Sequence, residues 1–284
     1  MVKYREYEPH ASLQGHVKCF WIMEREYTPE HAAEDVTPDA FIELILNFGA
    51  PYRLHSDGAP DREMPRAILV GLQKKPLLFR CQGMVKLVAT RFFAWGGLPF
   101  LADRAHGLNN LPATLGREWD GLAKKVEPAV GADDYEAAVS IVEDHLIERL
   151  LVATVDLKKI QAAAQMLLLK KGQFRVAELA EHCNLSSRQL QRQFQDVVGV
   201  SPKALARAIR FEEIRKRLMF DPDQSLTDLA YEFGYADQAH FIRDFKDLAD
   251  RTPGEFAREM RAVQDIFRDQ ENVVFLQAPS AGRR

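Results

Sequence analysis

The sequence predicts an α+β protein with two domains, in which a β-rich N-terminal domain is followed by an all-α C-terminal domain. Three observations support this prediction. Short β-branched and aromatic runs, separated by Gly and Pro, extend from Met1 to about Pro112. From Pro112 onward, apolar residues recur at the three- and four-residue spacing of helices. In the last third of the chain, one sequence pattern occurs twice.

The N-terminal segment contains several runs that predict strands, bounded by turn signals. The clearest runs are residues 41–48, 67–70, 77–80 and 85–93, and the turn signals are Asp57-Gly58, Gly49-Ala50-Pro51, Gly71, Pro76 and Gly83. Short strands divided in this way favour an antiparallel architecture. We therefore predict a cupin-like antiparallel β-barrel, with a sandwich as the alternative arrangement.

The N-terminal domain is expected to end in helices. Residues 113–126 and 134–151 carry apolar residues at helical spacing, and Asp133-Asp134 is suited to cap the second helix. We place the N-terminal domain at residues 1–152 and the C-terminal domain at 153–269. Residues 270–284 are expected to form a flexible tail.

Composition is that of an ordinary globular protein, with 46% hydrophobic and 28% charged residues. No apolar run approaches the length of a membrane span, and the charged start is unlike a secretory signal. The three scattered cysteines suit a reducing compartment. These features predict a bacterial cytoplasmic protein that does not enter the membrane.

The net charge of −3 is unevenly distributed along the chain. Residues 156–268 hold 19 Lys and Arg and 17 Asp and Glu, whereas the remainder holds 19 basic and 24 acidic residues. A protein that binds nucleic acid through bulk charge alone would need far more positive charge. DNA binding by this chain would therefore depend on individually placed side chains.

The repeated pattern predicts two helix-turn-helix units, at about 176–198 and 226–248. Arg192 corresponds to Arg243, Phe194 to Phe245, Pro202 to Pro253 and Arg207 to Arg258, with one extra residue in the second copy near Asp237. A helix over 203–219 would join the copies and span about 26 Å. Such a connector could hold two reading helices on successive turns of DNA, about 34 Å apart.

Each unit presents a polar face that suits the major groove of double-stranded DNA. In the first copy Leu190, Phe194 and Val197 are expected to face inward, and in the second copy Phe241, Phe245 and Leu248. The outward residues, which we take as candidate DNA contacts, are Arg188, Gln189, Gln191, Arg192, Gln195, Gln238, Ala239, His240, Arg243 and Lys246. Arg can form paired hydrogen bonds to guanine, and Gln to adenine. The alternative for Arg192 and Arg243 is phosphate contact, and for His240 a solvated helix position.

These residues resemble the AraC/XylS family of bacterial transcription regulators. The motifs are Leu179-Ala180, Ser186, residues 190–194, residues 199–202, Arg210-Phe211 and, above all, residues 233–246. The resemblance covers about 110 residues and implies seven helices, two helix-turn-helix units and promoter DNA as the target. The family's base-reading places fall on Arg188, Gln191, Arg192, Gln238, Ala239, His240 and Arg243. The chain departs from the family pattern at Gly254-Glu255-Phe256 and at Asp250-Arg251, where Gly is common.

Residues 38–45 and 69–71 also resemble a sensor domain often joined to this family, although no ligand is implied. We take Phe41, Glu43, Phe79, Arg91 and Trp95 as candidate walls of an effector pocket, since small-molecule sites have mostly apolar walls. For Glu43 and Arg91, a structural ion pair is the favoured alternative. For the domain as a whole, the alternative is a filled barrel that serves only dimerisation.

We therefore expect a sequence-specific transcription regulator that responds to an unidentified small molecule, and we expect an activator in preference to a repressor. RNA polymerase and a second copy of the chain are further expected partners. Two alternatives stay open: a ligand-independent DNA-binding protein, and an enzyme domain tethered to a DNA reader. No metal-ligand cluster, phosphate loop or nucleophile motif is evident in the sequence, so we expect no catalytic site, metal or cofactor.

Overall fold

The computed structural model describes residues 2–29, 32–56, 58–101, 112–153 and 156–268, with side chains as far as Arg261. The tail predicted at 270–284 and the turn residue Asp57 lie outside the described residues. None of the helices within the described ranges is long and apolar enough to cross a membrane.

Ten strands and three helices make up the N-terminal part of the described chain. The strands are β1 (Val2–Tyr7), β2 (Val17–Tyr27), β3 (Ala33–Val36), β4 (Phe41–Asn47), β5 (Arg53–Ser56), β6 (Ala59–Glu63), β7 (Ala67–Val70), β8 (Leu77–Arg80), β9 (Gly83–Phe93) and β10 (Ala113–Thr114). The helices are α1 (Leu98–Leu101), α2 (Arg117–Gly131) and α3 (Tyr135–Val152). The four predicted strand runs correspond to β4, β7, β8 and β9.

The strands form two antiparallel sheets. The larger has the order β1-β2-β9-β4-β7-β10 and the smaller the order β3-β8-β5-β6. The predicted antiparallel β-rich domain is confirmed, but as two facing sheets and not as a closed barrel within the described chain. The short strand β10 pairs only with β7 at the edge of the larger sheet, through Ala113↔Leu69 and Thr114↔Ile68.

The larger sheet buries both of its faces. Because side chains alternate along a strand, Phe20 and Ile22 of β2 point to one face, and Trp21 and Met23 point to the other. The first face packs against α2 and α3 in a cluster that includes Trp119. The second face packs against the smaller sheet through residues that include Tyr52, Leu54 and Phe79. All three tryptophans of the chain are buried, including Trp95.

Two helices were predicted after Pro112. The first, α2, begins later than predicted, and the second, α3, lies close to its predicted bounds. Residues 113–126 were expected to be helical throughout, but 113–114 form β10 and α2 begins only at Arg117. Pairing with β7 satisfies backbone groups of this segment, and an extended segment cannot also be helical. The cap of α3 is as predicted, because Asp134 accepts a hydrogen bond from the Ala137 amide at 3.0 Å.

The C-terminal part of the described chain consists of seven helices, as the sequence resemblance implies. They are α4 (Lys158–Leu169), α5 (Val176–His182), α6 (Ser187–Val198), α7 (Pro202–Phe220), α8 (Leu226–Glu232), α9 (Gln238–Ala249) and α10 (Pro253–Arg268). The connector α7 has 19 residues and begins with Pro202 in its first turn, where a missing N–H costs nothing. Its length is about 28 Å at 1.5 Å per residue.

The N-terminal and C-terminal parts share one hydrophobic cluster. Trp95, Ala94, Leu72 and Ala40 from the β-rich part pack with apolar residues of α4, α5, α6 and α7, among them Ile160. Trp95 also stacks on Phe93 at 4.8 Å between ring centroids, and its indole N–H donates to the Gly15 carbonyl oxygen at 3.0 Å. This joint couples the β-rich part directly to the first helix-turn-helix unit. The boundary between 152 and 153 stays a prediction.

Candidate nucleic-acid interface

The helices α6 and α9 occupy equivalent places in the two repeats and have the same length of 12 residues. Each follows a seven-residue helix and a turn with one residue at positive φ, Asn184 at 51° and Gly234 at 73°. Asn and Gly are the residues that adopt this conformation most readily. Arg192 and Arg243 each stand sixth in their helix. The duplication seen in the sequence is therefore a duplication of structure.

The buried face of α6 is apolar and its other face is polar. Leu190, Phe194 and Val198 are buried, and Val197, which was expected to point fully inward, is only partly buried. The buried residues of α6 are spaced four apart, so the third buried position is Val198 and not Val197. All of the predicted contact residues of this helix are exposed: Arg188, Gln189, Gln191, Arg192 and Gln195. The first turn contains no acidic residue.

One of these residues has a structural role as well. Gln189 completes a capping box at the start of α6, in which its Oε1 accepts from the Ser186 amide at 2.9 Å. In return, Ser186 accepts from the Gln189 amide through its hydroxyl at 3.3 Å. The side-chain oxygen of Gln189 is thus already bound, which leaves its amide NH2 group for a contact with DNA.

The second reading helix repeats this design. Phe241, Phe245 and Leu248 are buried as predicted, and Asp237 caps the helix by accepting from the His240 amide at 2.7 Å. The predicted contact residues are all exposed, namely Gln238, Ala239, His240, Arg243 and Lys246. The first turn of α9 also lacks acidic residues. Both reading faces therefore combine exposed basic side chains with the positive end of a helix dipole.

The connector α7 is embedded in the cores of both units. Its N-terminal half contributes Leu205 and Ile209 to the cluster that holds α6, and its C-terminal half contributes Ile214 and Leu218 to the cluster that holds α9. Close-packed side chains on both sides leave little freedom for the two units to shift. The fold consequently presents both reading helices on one rigid support.

Of the five candidate pocket residues, Phe41, Glu43 and Arg91 are in direct contact. Glu43 and Arg91 lie opposite each other on the neighbouring strands β4 and β9, and Arg91 Nε donates to Glu43 Oε1 at 2.5 Å. Trp21 donates its indole N–H to Glu43 Oε2 at 2.8 Å. The ring of Phe41 lies 5.6 Å from the Arg91 guanidinium.

The other two candidates adjoin this group through intermediate side chains, Phe79 through the cluster that contains Trp21, and Trp95 through Phe93. Phe79 packs on Tyr52 between the sheets, with ring centroids 5.7 Å apart. Trp95 belongs to the cluster shared with the C-terminal helices. Trp21 is not one of the five candidates, and neither is Lys18, whose Nζ lies 4.5 Å from the Phe41 ring centre. The alternation of β2 places Trp21 on the inter-sheet face, and that signal was available in the sequence.

Asp39 lies beside this group, at the boundary with the C-terminal helices. It accepts a hydrogen bond from the Phe41 amide at 2.9 Å. Burial of the carboxyl group, followed by the nearby negative charges of Glu43 and of Glu212 in α7, raises the pKa of Asp39 to about 7, against the opposing effect of Arg91. The charge of Asp39 is therefore sensitive to how closely α7 packs against the β-rich part.

Metal-binding chemistry finds no support within the described ranges, where no group of three or more His, Cys, Asp or Glu side chains is placed to hold an ion. The three cysteines are buried and free. Cys183 lies in the core of the first unit as predicted, and its thiol donates to the Lys159 carbonyl oxygen at 3.4 Å. Burial raises the pKa of Cys183, so its thiol stays protonated and weakly reactive.

Two family models match the chain. Residues 179–259 match a family described as a helix-turn-helix domain, and residues 5–112 match a domain of unknown function, DUF6597. The first match begins within α5 and ends within α10, so it includes both reading helices and the connector. The second match spans the strands of the N-terminal part up to Pro112.

HTH-type transcriptional regulators are among the relatives of this chain. An uncharacterized HTH-type transcriptional regulator of Haemophilus influenzae is 25% identical over 120 residues, which are 42% of this chain and 40% of the relative. The HTH-type transcriptional regulator MtrA of Neisseria gonorrhoeae is 30% identical over 89 residues, 31% of this chain and 29% of the relative. The chain thus spans less than half of the length of these relatives.

Among solved structures, ToxT of Vibrio cholerae superimposes with a TM-score of 0.47 and 11% identity, covering 90% of this chain and 98% of that one. The equivalent caps, turns and buried faces of α6 and α9, together with the family match over them, lead to one conclusion. Residues 179–259 match the helix-turn-helix domain family, and in this chain they follow a β-rich N-terminal part.

Proposed function

We propose that this protein is a sequence-specific DNA-binding transcription regulator whose two reading helices enter successive major-groove segments. One observation carries the proposal. Arg192 and Arg243 are exposed at the same position of two structurally equivalent helices, and one rigid connector supports both helices. A helix-turn-helix protein that reads successive major-groove segments needs two such helices about one DNA turn apart.

The proposed base contacts are the exposed long side chains of the two faces. Arg192 and Arg243 suit guanine, and Gln191 and Gln238 suit adenine. Arg188, Lys246 and His240 would complete the faces through bases or phosphates, since many protein–DNA hydrogen bonds only position the protein. Gln189 would contribute through its amide NH2 group alone, and Ala239 would leave room for a thymine methyl group.

We propose that the β-rich domain modulates DNA binding in response to a small molecule. The hydrophobic joint around Trp95 gives such a molecule a route to the DNA reader, because a ligand that favours one packing of this joint changes the population of the DNA-binding arrangement. The candidate contact region is the cluster of Phe41, Glu43 and Arg91. The domain would otherwise serve as a dimerisation scaffold.

One observation favours the scaffold alternative. The polar groups of Glu43 and Arg91 already satisfy each other, and Trp21 occupies a further oxygen of Glu43. A ligand at this place would have to offer replacement partners, since an unpaired buried charge is costly. A sensor domain should therefore become more stable in the presence of its effector, whereas a scaffold domain should show no change in stability.

The transcription-regulator function is tested by selecting bound fragments from a genomic library with the full chain. We expect enrichment of fragments that share a two-part motif, with parts about one helical turn apart. Methylation interference on the selected fragments would then locate the contacted guanines. Recovery of fragments without a common motif would contradict sequence-specific reading.

The sensor function is tested by thermal unfolding of the full chain with a library of small molecules. A ligand that binds the folded state raises the unfolding temperature with its concentration. Glu43→Gln serves as the variant in which such a shift should diminish, and Asp120→Asn on the exposed face of α2 as its control.

Transcription in vitro with RNA polymerase distinguishes activation, which we expect, from repression. Gel filtration at several concentrations tests the expected homodimer.

We propose no enzymatic activity, because the relatives described above are transcriptional regulators. The expected cofactor content is therefore none.

A further inference from the structure

The second reading helix is tied to the connector by a hydrogen-bond network. Asp244 of α9 accepts from Arg207 Nε of α7 at 2.5 Å and from the Tyr235 hydroxyl at 2.7 Å. Arg207 Nη2 also donates to the main-chain oxygen of Asp244 at 3.3 Å and to Asp247 Oδ2 at 3.1 Å. One guanidinium group therefore holds the backbone and two side chains of the reading helix at once.

The network is largely removed from water. The side chain of Asp244 is 12% exposed and that of Arg207 is 32% exposed. Tyr235 is buried, and the guanidinium of Arg210 lies 4.9 Å from its ring centre. Burial, followed by the hydrogen bond to Asp244, raises the pKa of Tyr235, so its hydroxyl remains a donor. Charge-assisted hydrogen bonds in such surroundings are strong, and loss of Arg207 leaves the Asp244 carboxylate with the Tyr235 hydroxyl and without its charged partner.

The first helix-turn-helix unit has no equivalent of this network. At the positions that correspond to Tyr235 and Asp244 it has Leu185 and Gln193, neither of which is charged. The helix α6 is held by the apolar side chains of Leu190 and its neighbours in the core. The fold of a single unit therefore does not require the network, and its presence in the second unit calls for another explanation.

The position of Arg207 along α7 supplies that explanation. Arg207 lies between Leu205 and Ile209, in the half of the connector that is embedded in the core of the first unit. The apolar contacts of α9 involve instead the other half, from Phe211 onward. The bond between Arg207 and Asp244 thus reaches from the second reading helix to the part of the connector that belongs to the first unit.

We propose that the network of Arg207, Asp244 and Tyr235 fixes the distance and rotation between the two reading helices and thereby determines which spacing of two DNA segments the protein accepts. This inference rests on the proposed function, because it assigns a task to residues that touch no base. They are positioning residues. Asp244 directly follows Arg243, so a small rotation of α9 about this anchor displaces the proposed base contact.

The test uses the full chain and the two-part DNA motif that it selects. Derivatives of that DNA carry one base pair more or one fewer between the two parts, which shifts one part by about 3.4 Å along the axis. Affinities for the three spacings are measured by gel shift for the wild type and for Arg207→Ala, Asp244→Asn and Tyr235→Phe. Gln193→Ala, at the equivalent place in the first unit, is the matched control. Circular dichroism establishes that each variant is folded, and Tyr235→Phe, which removes a single hydroxyl, keeps the test available if a larger change unfolds the chain.

The wild type should discriminate sharply between the native spacing and the altered ones. In Arg207→Ala this ratio of affinities should fall by roughly tenfold, equivalent to about 1.4 kcal/mol. It should fall less in Tyr235→Phe and not at all in Gln193→Ala. The bases preferred within each part should stay the same, because the reading side chains are untouched.

Two other results would overturn the inference. If a variant loses the same affinity at every spacing, so that the ratio of affinities between spacings is unchanged, the network only stabilises the fold. If the affinities of a variant equal those of the wild type at every spacing, the network neither sets the spacing nor stabilises the DNA-binding fold. Both results require that the wild type binds its two-part DNA. If the wild type selects no DNA motif, the proposed function itself fails, and the spacing inference fails with it.

Discussion

Arg251, which follows α9, donates from Nη2 to Asp35 Oδ2 of β3 at 2.6 Å, across a sequence separation of 216 residues. The same guanidinium donates to Glu259 of α10 at 2.6 Å. The side chains of Arg251 and Asp35 are partly exposed, and exposed ion pairs contribute at most about 1 kcal/mol. The β-rich domain is therefore attached to the first helix-turn-helix unit through the hydrophobic joint, and to the second through this ion pair and the connector, where Glu212 lies near Asp39.

This asymmetry bears on a fragment of residues 152–270, which we expect to bind DNA without the β-rich domain. Both reading helices and the connector lie inside it, and the second unit loses the partly exposed ion pair between Arg251 and Asp35. The first unit loses its contacts with Trp95, Ala94, Leu72 and Ala40, so the fragment should unfold at a lower temperature than the full chain. Gel shift with the selected DNA measures whether the fragment binds, and thermal unfolding measures its loss of stability. Binding by the full chain alone would mean that the N-terminal domain contributes directly to DNA recognition.

Replacing Arg192 or Arg243 by Ala should weaken specific binding by roughly 1–3 kcal/mol if the arginine forms paired hydrogen bonds to a guanine. The loss should be confined to one base step for each residue, with the two steps about one helical turn apart. Affinities for DNA with single substitutions measure this pattern. Arg175→Ala, an exposed arginine before α5, is a control of equal charge. Uniform weakening on all sequences would assign Arg192 and Arg243 to phosphates.

Asp39→Asn should make the protein less sensitive to pH between about 4 and 7. The pKa of Asp39 is about 7 in the folded chain and close to the ordinary value of about 3.9 after unfolding. In this range the unfolded chain has lost the proton and the folded chain keeps it, so stability falls as the pH rises. Below the range the group contributes nothing, and above it the full cost of burying the charge is present.

The free energy of unfolding from urea titrations at several pH values measures this effect. Asp39→Asn should be more stable than the wild type at pH 8 and equal to it near pH 4. Asp120→Asn, on the exposed face of α2, controls for the change in net charge. A difference between Asp39→Asn and the wild type that is constant over the whole range would contradict the assignment.

Asp250→Gly should stabilise the protein, whereas Gly199→Ala should destabilise it by about 1 kcal/mol. The two residues end the equivalent helices α9 and α6 with φ of 57° and 79°. A left-handed residue with a Cβ atom is strained, and Gly relieves the strain. Thermal unfolding of both variants measures the effects. A lower unfolding temperature for Asp250→Gly would indicate that its side chain makes a compensating contact.

Most of the helical architecture was predictable because it is encoded locally. The buried spacing of Phe241, Phe245 and Leu248, the caps at Ser186 and Asp237 and the turns at Asn184 and Gly234 each involve neighbours within a few residues. The start of α2 was not predictable in this way. Residues 113–114 become a strand only because the edge of β7 is available to them.

The candidate pocket shows the same limit. Phe79 and Trp95 were grouped with Glu43 because all are large or charged residues of the strand region. Separating them required the strand order, since Trp95 lies beyond the end of β9 against α4 and Phe79 lies in the smaller sheet. Glu43 and Arg91 form the structural ion pair that the sequence favoured, because β4 and β9 are neighbours in direct register. Register between distant strands is a tertiary property.

The duplicated helix-turn-helix units, the exposed faces of α6 and α9 and the two-domain order were all predictable from the sequence, because helix periodicity, caps and turn residues act over short distances along the chain. The bonds from Arg207 to Asp244 and from Arg251 to Asp35, and the packing of Trp95 in the core of the first unit, became visible only in the folded chain. The two hydrogen-bonded pairs are 37 and 216 positions apart in the sequence, and Trp95 joins residues of two domains. Their geometry depends on how whole elements pack, and no local pattern specifies it.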